Sequence, residues 1–300
     1  MKKIASKAFS SAAALIMVAA SAGYALAKEQ VVTIPVDGQS VVGTLETPDN
    51  ASAPAPVVLM LHGFTGTRDE LAVKDTDDGV FTRTARELSK NGYASLRIDF
   101  RGSGESDGNW EDTTFSGQIK DAVAAIDWLK QNTQVDGSRI SVLGWSQGGL
   151  VASHAVAERP EVNATILWAP VTNPMFTFSN LLGAETVMKA IAGDPQTPHT
   201  IKLPWGVETT LKGAFYQELP VKSAAAAVSA YPGPLMVIVG TRDTTVAPQP
   251  AAGQILMDYH SGKEELVVFD TDHVWDAFSG PATLDNKMIP TTLKWLNENR

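Results

Sequence analysis

Ser146 stands in Gly144-Trp145-Ser146-Gln147-Gly148, directly after the apolar run 140–143 and directly before a helical pattern. A G-x-S-x-G sequence between a strand and a helix reads as a nucleophile elbow, a sharp turn that lifts a serine hydroxyl clear of the backbone. The flanking glycines have a steric reason, since side chains at those positions would collide with the neighbouring strand and helix. A serine is a weak nucleophile until a histidine accepts its proton, and that histidine must be held in one tautomer by a carboxylate. The chemistry to look for is acyl transfer.

For this arrangement the expected chain order is serine, acid, histidine. Asp243 fits the acid: it lies just past the apolar run 235–239, in Gly240-Thr241-Arg242-Asp243. Of five histidines, His273 follows the last apolar run, 266–269, and precedes the closing helical pattern, which brings it over the strand ends near Ser146. His154 sits on the helix beyond the elbow and is expected to pack on the sheet. His260 ends another helix, where a ring suits the dipole, and His199, in the cap, could touch a ligand but reads by default as a loop histidine. The tetrahedral oxyanion needs two amide donors. The amide of Gln147, directly after the nucleophile, is one; that of Phe64, in His62-Gly63-Phe64-Thr65-Gly66, is the other, with His62 bonding backbone in that loop.

The elements that must position these groups are legible as a pattern. Segments 31–36 and 41–46 alternate in polarity around Asp37-Gly38 and predict an antiparallel hairpin. Short continuous apolar runs at 57–61, 94–98, 140–143, 164–168, 235–239 and 266–269 predict strands buried on both faces. Helical patterns at 81–90, 115–131, 148–158, 250–259 and 284–299 lie between and after them, so the fold class is α/β with a mostly parallel, doubly wound sheet. Residues 171–221 break the alternation, with no clean strand, and are too long for an ordinary connection. They are expected to form a cap inserted into the sheet domain, which spans 28–300.

The first 27 residues read as a signal peptide: Lys2, Lys3 and Lys7, an apolar stretch 8–20, and Ala25-Leu26-Ala27 before cleavage. Export to the periplasm or beyond is expected, without a stable membrane anchor, because the apolar stretch is shorter than the ~20 residues of a span. Losing three lysines and no acid moves the formal charge from −9 to −12. Such an acidic chain disfavours nucleic acid as a partner. The absence of cysteine excludes disulfides, thiolate metal sites and a cysteine nucleophile. Arg101-Gly102-Ser103-Gly104-Glu105-Ser106-Asp107-Gly108 imitates a phosphate loop, but Asp107 stands where the third glycine belongs, and neither a P-loop nor HExxH occurs. No metal or cofactor is expected.

Taken with Asp99-Phe100-Arg101-Gly102 and Asp272-His273, these motifs resemble the α/β-hydrolases. Within them the chain is similar to the serine aminopeptidase S33-like group that includes cinnamoyl and feruloyl esterases, over essentially everything after about residue 31. The resemblance implies an α/β-hydrolase fold with Ser146, Asp243 and His273 as triad and the Phe64 and Gln147 amides as oxyanion hole. It also makes Leu211-Lys212-Gly213-Ala214-Phe215-Tyr216 a cap segment lining an acyl pocket. Ser103 departs from the histidine usual in that group's R-G-H-G turn, and 172–205 matches nothing in it.

The expectation is therefore an exported serine hydrolase that cleaves a small-molecule carboxylic ester, aromatic-acyl or short-acyl, through an acyl-enzyme on Ser146. Phe176, Phe178, Trp205, Phe215, Tyr216 and Trp275 are the candidates for an aromatic pocket, or for a cap packed on itself. A serine peptidase or amidase of the same fold is the alternative, with Glu185, Asp194, Glu208 and Glu218 available to meet a substrate amine. A non-catalytic ligand-binding member is a third. Acyl specificity and oligomeric state are not encoded legibly.

Overall fold

A computed structural model describes residues 28–48 and 53–300; the expected leader, 1–27, lies outside the described residues. Strands β1 (Lys28–Val36) and β2 (Gln39–Thr47) form an antiparallel hairpin. Asp37 (φ 50°) and Gly38 (φ 80°) make its turn, the two positive φ angles that a tight hairpin with right-handed strand twist requires.

The chain then alternates: β3 (Ala55–Leu61), α1 (Val80–Lys90), β4 (Ala94–Ile98), α2 (Phe115–Gln131), β5 (Val135–Trp145), α3 (Gln147–Glu158) and β6 (Ala164–Trp168). After an inserted region come α7 (Ala224–Val228), β9 (Leu235–Gly240), α8 (Ala251–Tyr259), β10 (Glu264–Phe269) and α9 (Ile289–Glu298). The sheet order is β1-β2-β4-β3-β5-β6-β9-β10, parallel from β4 onward, with β2 antiparallel to β4.

Continuous apolarity follows from burial on both faces. Val57, Leu59 and Leu61 of β3 join the core that includes α2 and α3, while Val58 and Met60 join the opposite core with Phe81, Trp168 and Trp295. On α2, Ala122, Ile126 and Leu129 are buried at helical spacing, and Val123 and Trp128 flank them half-buried.

Two readings need correction. The inserted region holds helices α4 (Pro174–Leu182), α5 (Ala184–Ala192) and α6 (Gly213–Glu218), but also an antiparallel hairpin, β7 (Pro198–Lys202) with β8 (Glu208–Lys212). These strands were hidden because their apolar positions are few, and a Thr200–Thr210 hydroxyl pair (2.8 Å) replaces an apolar cross-strand contact. The closing helix is also not uniform: a π-helical turn over Leu284–Met288 precedes α9. Pro290, which has no N–H to give an i→i−4 bond, stands at the junction.

Candidate active site

Ser146 occupies the apex between β5 and α3 with φ 56° and ψ −117°, a conformation costly for a side-chain-bearing residue. The turn closes so tightly that a Cβ on Gly144 would sit 2.3 Å from the Gly148 carbonyl oxygen. One on Gly148 would sit 2.1 Å from that of Leu61. Ser146 N–H donates to the Trp168 carbonyl (2.9 Å), tying the elbow to β6.

His273 Nε2 lies 3.0 Å from Ser146 Oγ, and its Nδ1 lies 2.7 Å from Asp243 Oδ2. An ionised carboxylate can only accept, so Nδ1 carries the proton and Nε2 is left free to take the serine's. Asp243 is buried, and its Oδ1 accepts the N–H groups of Thr245 (2.8 Å) and Val246 (2.9 Å). The loops that carry Asp243 and His273 come together because Gly240 has no side chain: a Cβ there would meet the Thr271 carbonyl oxygen at 2.3 Å. Asp272 Oδ1 caps the histidine loop by accepting from Val274 and Asp276 N–H (3.0 and 2.8 Å), and Trp145 Nε1 donates to the His273 carbonyl (3.2 Å).

The loop after β3 lies directly against the serine, since a Cβ on Gly63 would be 3.4 Å from Ser146 Cβ. The Gly63 carbonyl accepts from His62 Nδ1 (2.8 Å) and Gly66 N–H (3.1 Å). In a trans peptide the N–H points opposite to the C=O, so these two bonds set the direction of the Phe64 amide. The amide of Gln147 is the first of α3, where no intrahelical acceptor exists. Its side chain is turned away to Gln118 (2.6 Å).

His62 is completely buried, with Nε2 accepting from Phe100 N–H (3.2 Å), and burial pushes its pKa down to about 4. The ring is therefore neutral and structural. Because the folded value lies below the ordinary 6.5, its contribution to stability is complete above pH 6.5 and is lost as pH falls through about 4. A shift of this size corresponds to about 3 kcal/mol. Urea midpoints from pH 7 to 4 should fall more steeply for the native protein than for His62→Asn; parallel slopes would show that His62 does not carry this effect.

A cavity of about 290 Å³ opens beside Ser146 and His273, walled by Phe64, Leu181, Trp205, Val274 and Phe278, with Glu70 at its edge. A wider groove of about 770 Å³ adjoins it across Thr65 and Gly66, between residues 102–111 and β8. Of the six aromatic candidates, Trp205 lines the cavity and the others do not. Trp275 is buried against Trp145 and Trp168, turned inward where Trp275 and Asp276 both take positive φ. Phe178 and Phe215 pack with Phe115 and the Phe64 ring, Tyr216 sits edge-on to Phe215 and His199, and Phe176 is exposed outside the cavity.

Among the acids weighed for an amine, none lines this cavity: Glu208 reaches the wider groove and Glu218 accepts from Ser116 N–H (2.9 Å). The glycine-rich 101–108 loop folds back on the carboxylate of Asp99, which accepts from the loop's Glu105 N–H (3.0 Å) and from Arg68 N–H (2.7 Å). Leu181, Val274, Phe278 and Glu70 carry no motif and emerge only from the fold.

A family model described as alpha/beta hydrolase fold matches residues 112–276, more than half of the chain and the span from the start of α2 past His273. The chain belongs to the α/β-hydrolase family. A second model, X-Pro dipeptidyl-peptidase (S15 family), matches residues 37–177 of the hydrolase. Among solved structures, Est1E from Butyrivibrio proteoclasticus with ferulic acid bound is similar at 25% identity and TM-score 0.68, covering 89% of this hydrolase and 96% of that chain. An uncharacterised protein of Rickettsia prowazekii is 35% identical over 124 residues, 41% of this chain and 49% of that protein. Acylamino-acid-releasing enzyme 2 of Oryza sativa subsp. japonica is 24% identical over 203 residues, 65% of this chain and 24% of that protein. The hydrolase thus spans half or less of these two curated relatives.

Proposed function

We propose that the protein is an exported serine hydrolase of carboxylic esters, working in the periplasm or outside the cell on a small-molecule substrate. The observation that carries the reading is the unbroken chain Ser146 Oγ, His273 Nε2, His273 Nδ1, Asp243 at the mouth of an apolar cavity. As Ser146 Oγ bonds to the acyl carbon, its proton passes to His273 Nε2, and the Phe64 and Gln147 amides receive the oxyanion. The bond to the leaving alcohol then breaks as His273 returns the proton to it. Water repeats the sequence and releases the acid.

The cavity of about 290 Å³ is at the lower end of the ~300–1,000 Å³ typical of ligand sites, which favours a compact acyl group. Trp205 and Phe278 would meet its faces, and the likeness to a structure holding ferulic acid favours an aromatic acyl group. The wider groove across Thr65 and Gly66 would take the alcohol. The likeness to acylamino-acid-releasing enzymes supports a second reading, amide hydrolysis.

Hydroxycinnamoyl esters, short-acyl esters and aminoacyl amides assayed side by side separate the two. The expected result is the highest kcat/KM on the hydroxycinnamoyl esters. Turnover confined to the amides would refute the ester reading.

A further inference from the structure

The half-buried carboxyl of Glu70 lies against the loop that carries the Phe64 amide, and the reaction outlined above gives it no task. Its Oε1 accepts the Gly63 N–H, and the Leu71 N–H lies close enough to the carboxyl to favour its charged form. Oε2 fills the space beside Gly66, where an added Cβ would lie 2.9 Å from it. Glu70 itself has φ 62°, outside the usual regions for a residue with a side chain. Among the described residues the carboxyl is met by backbone N–H groups rather than by cations, and it lines the cavity that holds Ser146 and His273.

Two consecutive peptide units are thereby held. The His62–Gly63 unit is fixed through its N–H by Glu70, and the Gly63–Phe64 unit through its C=O by His62 and Gly66. Between them lies Gly63, the residue type with the most backbone freedom to lose. Fixing both planes fixes its φ and ψ, and the Phe64 N–H direction follows from them.

We propose that Glu70 is a positioning residue of the oxyanion hole: by holding Gly63 N–H, its carboxyl works with the His62 and Gly66 bonds to aim the Phe64 amide at the carbonyl oxygen that Ser146 makes anionic. The proposal rests on the acyl-transfer reading of the site. It names no new contact with substrate; Glu70 acts through Gly63.

The ionisation of this carboxyl bears on the rate. Burial pushes it up to about 8, which favours the uncharged acid at neutral pH. Above that, a negative charge appears on the wall of the cavity in which the oxyanion forms, and the two repel. His273 faces the same cavity; Glu29, Asp69, Asp77, Asp78 and Arg97 line the outer side of Glu70, where Arg97 pairs with Glu29 and Asp69.

The test is the rate at which a fluorophosphonate probe phosphonylates Ser146, measured from pH 6 to 10 beside ester turnover, for the native protein, Glu70→Ala and Glu70→Gln. Loss of an aligned oxyanion donor costs of order 10²-fold, so Glu70→Ala should label about 10²-fold more slowly, with kcat rather than KM reduced. Glu70→Gln, whose amide oxygen can still accept from Gly63, should recover to within about tenfold of the native rate. The native rate should fall above about pH 8 and that of Glu70→Gln should not.

If Glu70→Ala does not fold, the labelling rate of Glu70→Gln decides together with its pH profile. An alanine variant within twofold of native, a glutamine variant as slow as alanine, or an alkaline fall that persists in glutamine each overturns the proposal. A native protein that labels yet hydrolyses no ester refutes the ester reading and leaves the role of Glu70 measurable. One that takes no probe refutes both.

Discussion

Ser146→Ala and His273→Ala are each expected to lower kcat by about 10⁶-fold, and the double variant by no more than either alone. With Oγ and Nε2 3.0 Å apart, the proposed mechanism gives the two groups a single proton transfer to share. Removing the serine leaves the histidine no proton to take, and removing the histidine leaves a hydroxyl that is not a nucleophile at neutral pH. The residue of catalysis, about 10³–10⁴ over water, is expected from the Phe64 and Gln147 amides proposed as the oxyanion hole and from substrate binding, which neither change touches. Single-turnover kinetics on an activated ester would measure this, with thermal unfolding to show that the variants fold. Losses that multiply in the double variant, or a His273→Ala protein retaining a hundredth of native kcat, would mean that these residues do not act as one unit.

The parts of this site readable in the sequence are those that steric necessity writes into residue type. Gly144 and Gly148 are glycine because a Cβ would strike backbone at close to 2 Å, and no other residue fits those places. The order of Ser146, Asp243 and His273 follows strand ends that announce themselves by buried runs such as Leu235–Gly240. Direction of a ring is another matter. Trp275 stands two residues from His273, yet its indole lies in the core with Trp168, because the chain reverses at 275–276. Phe178 and Phe215 have the same composition signal whether they face a ligand or Phe115. Glu70 is undetectable for the reason that makes it interesting: an acid in a polar loop is ordinary until the fold closes Gly63 over it. The β7–β8 hairpin escaped because strands buried on one face at most lack the apolar run that marks those buried on both.

Asp243→Asn should cost about 10⁴-fold in kcat while leaving the fold intact, more than a lost hydrogen bond explains. Two backbone N–H groups, from Thr245 and Val246, converge on Oδ1 at 2.8 and 2.9 Å. In the asparagine variant only the carbonyl oxygen can accept them, so the amide nitrogen is forced into the place of Oδ2, 2.7 Å from His273 Nδ1. An NH₂ group there can only donate. Nδ1 must then give up its proton, and the neutral ring carries it on Nε2, facing Ser146 Oγ with a donor where an acceptor is needed. The same two N–H groups that stabilise the native carboxylate thus lock the variant in the unproductive tautomer. Asp243→Ala, which leaves the ring free to choose either tautomer, should be less damaged than asparagine despite removing more atoms. Measuring kcat for both, with the imidazole ¹⁵N shifts reporting the tautomer, checks the argument; an asparagine variant with Nδ1 protonated and kcat within tenfold of native would defeat it.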